Sequence, residues 1–149
     1  MLLLITYKLL MEKISDVSQP IEENQKAISY IRCIYKIKDH NETQIINYRS
    51  ENHVNEDIGK KIKILNGDKK EELIFKKKFD NLGINTIDFI VEEKLTNLSY
   101  LFSKCSSLIE VKFISFETDQ VNKMRKMFSE CNKLKLIKLE TKIINKINI

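Results

Sequence analysis

A self-match at a fixed offset constrains this chain more than any other feature. Shifted by 26 positions, the stretch 95–139 falls onto itself. Leu95 meets Val121, Leu98 meets Met124, Leu101 meets Met127, Phe102 meets Phe128 and Ser103 meets Ser129. Cys105 then meets Cys131, Leu108 meets Leu134, Val111 meets Ile137 and Phe113 meets Leu139. Nine positions keep apolar or matching character and four of them are identical, more than chance gives a non-repetitive chain. A period of about 20 to 50 residues specifies stacked units, because one unit cannot bury its apolar side alone.

Each unit carries two periods in a set order. Leu98, Leu101, Phe102 and Cys105 stand at i, i+3, i+4 and i+7, the apolar stripe of a short helix, and Met124, Met127, Phe128 and Cys131 repeat it. Leu108-x-x-Val111-x-Phe113 and Leu134-x-x-Ile137-x-Leu139 follow, each ending in the alternation of a short strand. The expectation is one helix and one strand per unit, with the strands paired in parallel and the helices covering their back.

Asn97-Leu98-Ser99-Tyr100-Leu101-Phe102-Ser103-Lys104-Cys105-Ser106-Ser107-Leu108 resembles the repeat of the BspA-like leucine-rich repeat proteins, a 26-residue surface-protein repeat of the style N-M-S-Y-M-F-S-x-C-S-S-L. The run from Lys123 to Leu134 is a looser copy, and Phe116 to Val121 looks like the family's F-N-T-S-N-V link. The likeness covers about a third of the chain. It implies an interaction scaffold, often displayed on cell surfaces, and no catalytic residues. The chain departs from the family in holding two full units, where such arrays usually run longer, and in showing no readable secretion or anchoring signal.

The remainder reads as follows. Met1 to Leu10 lacks a basic start and a small-x-small cleavage site, and falls well short of the ~20 residues that span a bilayer. Leu3, Leu4, Tyr7, Leu10, Met11 and Ile14 fit an amphipathic helix, followed by a polar linker holding the single proline, Pro20. Residues 28–93 read as five short strands: 28–38, 43–48, 61–65, 72–79 and 84–91. A helical turn is expected over 55–60, and turns at 39–42, at Asn66-Gly67 and at 81–83. Phe79 to Ile87 resembles the F-x-x-x-G-x-x-T-V turn of immunoglobulin-like and PKD-like modules. The expected fold class is α+β. A small β-rich N-terminal cap, sandwich-like or a curled sheet, is fused to a short leucine-rich repeat solenoid. The parts are an N-terminal helix and linker (1–27), a capping domain (28–93) and the repeats (94–149), with units at 95–120 and 121–146 and a partial third. A solenoid's first strand needs such a cover.

Charge and reactive side chains then bound the function. The net charge of +5 is uneven: residues 94–149 hold 11 basic and 5 acidic side chains, and residues 1–93 hold 15 and 16. A basic repeat half favours an acidic protein partner. Nucleic acid is disfavoured, since that half has one arginine, Arg125, and no basic–aromatic interleaving. Cys105 and Cys131 share a phase on the apolar stripe, and the third cysteine leaves an odd count without C-x-x-C, so neither a disulfide framework nor a zinc site is expected. His40 and His53 stand isolated. No nucleophile–base–orienter set, catalytic residue, metal ligand or cofactor site is read.

The leading expectation is a non-enzymatic protein–protein interaction module. It would bind through the side chains that alternate with the core along each strand: Glu110, Lys112 and Ile114, then Leu136, Lys138 and Glu140. The alternative is a truncated or structural member of a repeat family that self-associates through an open C-terminal end, using Ile143, Ile144, Ile147 and Ile149; Ile147 is in phase with Val121. Asn41-Glu42-Thr43 and Asn97-Leu98-Ser99 match the glycosylation triplet, which matters only in a secreted chain. The lack of a signal peptide points inside the cell and the family likeness points to its surface.

Overall fold

The computed structural model describes residues 29–50 and 53–140. The expected N-terminal helix and linker (1–27), and Ile143, Ile144, Ile147 and Ile149, lie outside the described residues.

One mixed sheet of six strands dominates, in the order β10-β9-β1-β8-β5-β6. Its members are β1 (Ser29–Ile37), β5 (Ile62–Asn66), β6 (Lys69–Glu71), β8 (Gly83–Val91), β9 (Leu108–Ile114) and β10 (Leu136–Glu140). Two small antiparallel pairs accompany it. One joins β2 (Thr43–Gln44) to β7 (Lys76–Lys77), the other β3 (Arg49–Ser50) to β4 (His53–Val54). The single described helix, α1 (Glu56–Lys61), has six residues.

β1 is the axis of the sheet. It runs antiparallel to β8 on one side, with Cys33 opposite Ile87, and to β9 on the other, with Cys33 opposite Val111. Its alternation explains why: Ile31, Cys33, Tyr35 and Ile37 are all buried on one face, as the sequence period of two requires. Val111 and Phe113 of β9, Ile87, Phe89 and Val91 of β8, and Ile62 and Ile64 of β5 join them in one contiguous core. Ile45, Ile46, Ile58, Phe79 and the turns over 95–107 close that face. The Tyr35 hydroxyl, fully buried, donates to the Ile45 carbonyl, so the core's one deep phenol is satisfied.

The expected α+β arrangement, a β-rich cap fused to a leucine-rich repeat solenoid, does not form. Among the described residues, the repeat segments contain no helix. Leu98, Leu101, Phe102 and Cys105 are buried as the stripe demands, but on a chain of three-residue turns: Leu101 N donates to Leu98 O, Ser103 N to Tyr100 O and Cys105 N to Phe102 O. Tyr100 and Lys104 take φ values of 65° and 66°, which interrupt a right-handed helix. Turns of three residues place apolar side chains at nearly the spacing of a helix turn, so the pattern was real and its helical interpretation was not. What the 26-residue offset specifies is strand register. β9 and β10 pair in parallel, Glu110 with Leu136 and Phe113 with Leu139, each 26 apart.

Nor is the N-terminal part a sandwich. The expected strands 43–48 and 72–79 reduce to β2 and β7. The Asn66-Gly67 signal closes a hairpin through Gly67 (φ 59°) and Asp68 into β6, a strand of exposed charged residues that apolar alternation could not reveal. Ile87 to Phe89 does not stand next to the repeat strands, because β1 lies between β8 and β9.

Candidate interaction surface

The sheet's second face begins where the core-facing side chains leave off. Alternation turns Glu110, Lys112 and Ile114 of β9 away from the buried Val111 and Phe113. Parallel register then sets Leu136 beside Glu110, Lys138 beside Lys112 and Glu140 beside Ile114. All six side chains named from the sequence therefore share one face of two adjacent strands. The pairing with β1 and β8 extends that face. Ile34 and Thr86 continue the Leu136–Glu110 row, Arg32 and Asp88 the Lys138–Lys112 row, and Tyr30 and Ile90 the Glu140–Ile114 row.

The middle row sets its electrostatics. Lys138, Lys112 and Arg32 stand directly opposite one another on three neighbouring strands. Arg32 is held by a two-pronged contact to Asp88, 2.7 and 2.8 Å, whose hydrogen bond raises the guanidinium pKa further. Lys112 lies 3.1 Å from Glu110. Both pairs are partly solvated, so each contributes on the order of 0–1 kcal/mol. Lys138 is exposed and has no ion-pair partner among the described residues. Like charges directly opposite in a sheet repel, and the Lys112–Lys138 contact is such a pair. Hydrophobic flanks complete the surface: Ile114, Ile34 and Tyr30 are half-buried, and Leu136 is exposed. Arg32, Asp88 and Tyr30 were not singled out by sequence, since only the antiparallel registers of β1 bring them to β9.

A second surface lies at the outer edge of the second unit. The first unit's Leu98, Val111 and Phe113 are buried at 3%, 0% and 6% exposure, while their counterparts Met124, Ile137 and Leu139 are exposed at 62%, 50% and 52%. At the opposite, inner edge, the first unit is met by Asn47 and Asn55. Asn47 N donates to Leu101 O at 2.7 Å and Asn47 Nδ2 to Ser103 O at 3.1 Å. Asn55 Nδ2 donates to Asn97 O at 2.8 Å. Nothing in the sequence marks these asparagines for that role: Asn47 falls in the expected strand 43–48 and Asn55 opens the expected helical turn over 55–60.

The cysteines are packing groups. Cys33 and Cys105 are fully buried, and burial pushes both thiols well above their usual range. Half-buried Cys131, raised less, donates its thiol to Phe102 O at 2.9 Å across the unit boundary. His40 contacts the Phe79 carbonyl at 3.1 Å through Nδ1. Among the described residues no cluster of His, Cys, Asp and Glu could hold a metal, and no helix is long and apolar enough to cross a membrane.

Compared with models of known families, with curated proteins and with solved structures, the chain matches none. The architecture itself defines the class: a β protein built on one six-stranded mixed sheet, in which two turn-and-strand segments related by a 26-residue offset supply β9 and β10 at one edge.

Proposed function

We propose that the chain is a non-catalytic protein-binding module that engages an acidic partner through the exposed face of β10, β9, β1 and β8. The observation that carries this reading is Lys138, exposed at the outer end of the row Lys138–Lys112–Arg32 and without an ion-pair partner among the described residues, whereas Lys112 and Arg32 are paired with Glu110 and Asp88. An anionic side chain seated over Lys138 would give it the counter-charge that Glu110 already gives Lys112, and the half-buried aliphatics nearby supply the apolar contact that interfaces use. Four strands spaced ~4.8 Å apart, each offering five residues at ~3.3 Å, give a patch of roughly 20 by 17 Å. That is well below the ~800 Å² per partner of a standard interface. Binding should therefore be weak, of micromolar order, and sensitive to salt.

The test is affinity capture with the intact chain and with K112E/K138E, followed by titration of each captured protein at low and high salt. A face-dependent partner is acidic, is lost with K112E/K138E and is kept by Met124→Lys, which alters the other surface. Capture unaffected by K112E/K138E would remove the sheet face as the binding site.

A further inference from the structure

The repeat offset sets two cysteines side by side. The Asn97–Lys123 bridge and the parallel pairing of β9 with β10 both hold an offset of 26 residues. Between them, Phe102 N donates to Met127 O (2.9 Å) and Lys104 N to Ser129 O (2.8 Å), the bonds a parallel pair makes at that register. Cys105 and Cys131 are 26 apart and therefore stand level. Their surroundings agree. The Cys131 thiol donates to Phe102 O at 2.9 Å, and the backbone N–H of Cys105 reaches the same sulfur. One cysteine's sulfur thus rests on the other's backbone. Level residues of paired strands have Cα atoms about 4.8 Å apart, inside the span of roughly 4.4–6.8 Å that a disulfide bridges. The third cysteine, Cys33, is fully buried on β1 and faces Ile87 and Val111 across its two pairings.

The position of the pair gives a bond between them a consequence. Unit one buries Leu95, Leu98, Leu101, Phe102 and Cys105, whereas Met127 is the one apolar side chain fully buried among the described residues of unit two. Unit two is therefore held chiefly by its backbone ladder to unit one, and a covalent link across that ladder would fix the less anchored unit to the better anchored one. Access divides the two thiols. Cys131 is half-buried and open to a small reagent, while Cys105 lies inside the core.

We propose that Cys105 and Cys131 form a reversible disulfide, a redox clasp that locks the second repeat unit to the first and is closed by exchange with a small-molecule disulfide of the glutathione class. The Cys131 thiolate attacks one sulfur of the small disulfide, breaks its S–S bond and releases one thiolate. The Cys105 thiolate then attacks the Cys131 sulfur of the mixed disulfide and releases the second. Two cysteine thiols are oxidised, one small disulfide is reduced to two thiols, and the protons given up by Cys131 and Cys105 end on those thiols. Burial holds Cys105 neutral, so the second step is the slow one, and it depends on the partner sulfur already lying alongside. The clasp is independent of the sheet-face reading.

Oxidised glutathione is the probe, applied to the full chain at low micromolar concentration and mildly alkaline pH, with remaining thiols blocked before peptide mapping. The chain should stay monomeric, lose two hydrogens and yield one linked peptide pair holding Cys105 and Cys131, with Cys33 still alkylated after denaturation. The bond closes a loop of 27 residues, so the urea midpoint should rise by about 1 M or more, and dithiothreitol should reverse the rise. The amides of Leu98, Tyr100, Phe102 and Lys104, which donate to unit two, should exchange about tenfold or more slowly in the clasped chain. Cys131→Ser should show none of these changes, and Cys33→Ala should show all of them. The proposal is overturned if the thiols stay free at saturating oxidised glutathione, or if reaction stops at a Cys131–glutathione adduct. A bond to Cys33 or between chains overturns it as well, and so does a Cys105–Cys131 bond that leaves the midpoint unchanged or lowers it.

Discussion

Leu98→Ala and Met124→Ala remove apolar groups at equivalent points of the two units, and the structure assigns them unequal costs. Leu98 is 3% exposed inside the contiguous core, so its truncation loses transfer energy and leaves a cavity, about 2–5 kcal/mol in comparable sites. Met124 is 62% exposed, and its loss belongs with surface changes of about 0.5 kcal/mol or less. Against a total stability of order 5–15 kcal/mol, the first is a large fraction and the second is not. With a urea slope of ~2 kcal/mol per molar, Leu98→Ala should lower the unfolding midpoint by ~1–2.5 M and Met124→Ala by ~0.25 M or less. The assay is equilibrium urea unfolding followed by fluorescence and by far-ultraviolet dichroism, with coincident curves and unchanged slopes required of both variants. Equal losses would refute the reasoning, because they would mean that the second unit's outer side is covered as deeply as the first's.

Other sites give sharper local outcomes. Asn55→Ala strips the amide that satisfies Asn97 O at the inner edge of the repeats and should cost about 1–3 kcal/mol, read as a midpoint shift in the same assay. Tyr35→Phe deletes the hydroxyl that donates to Ile45 O in the fully buried core and should cost about 1–2 kcal/mol with the core otherwise intact. A thiol reagent should label half-buried Cys131 in the native protein, while Cys33 and Cys105 become reactive only on unfolding; prompt labelling of all three would contradict their burial. Burial holds the Cys33 and Cys105 thiols above their usual value near 9, so above that pH the unfolded chain has released protons that the native chain retains. Stability is then full at neutral pH and falls as pH rises past 9, by up to ~1.4 kcal/mol per pH unit for each thiol. Unfolding midpoints at pH 7.5 and 9.5 check this, and Cys33→Ala should reduce the fall.

The sequence carried the register of the repeats but not their local conformation. Phe102 and Phe128 are equivalent by the offset and do stack, ring centroids 5.8 Å apart and nearly parallel, as repeat partners should. The same residues sit on turns, because a stripe at i, i+3, i+4 and i+7 is met by successive three-residue turns as well as by a helix, and nothing apolar distinguishes the two. The positive φ values that decide the matter fall on Tyr100, Lys104, Lys126 and Glu130, none of them glycine or asparagine, so no turn residue announced them. β1 was legible from its alternation; its place between β8 and β9 was not, since pairing across long separations leaves no local mark. Of the candidate interaction surface, the six positions on β9 and β10 followed from alternation alone. Arg32, Asp88 and the capping asparagines Asn47 and Asn55 required the tertiary registers.

The central position of β1 also sets an order of events during synthesis and folding. β1 is the first described strand, yet both its neighbours come late: the Arg32–Asp88 contact spans 56 residues and the Ser29–Ser115 contact spans 86. Until β8 and β9 have been made, an apolar strand of nine residues has both edges unsatisfied. Such long loop closures slow folding toward the millisecond-to-second range of non-local β topologies. A growing chain of this protein therefore carries β1 with an unpaired edge until β9 has been made, and that interval is when a chaperone would matter most.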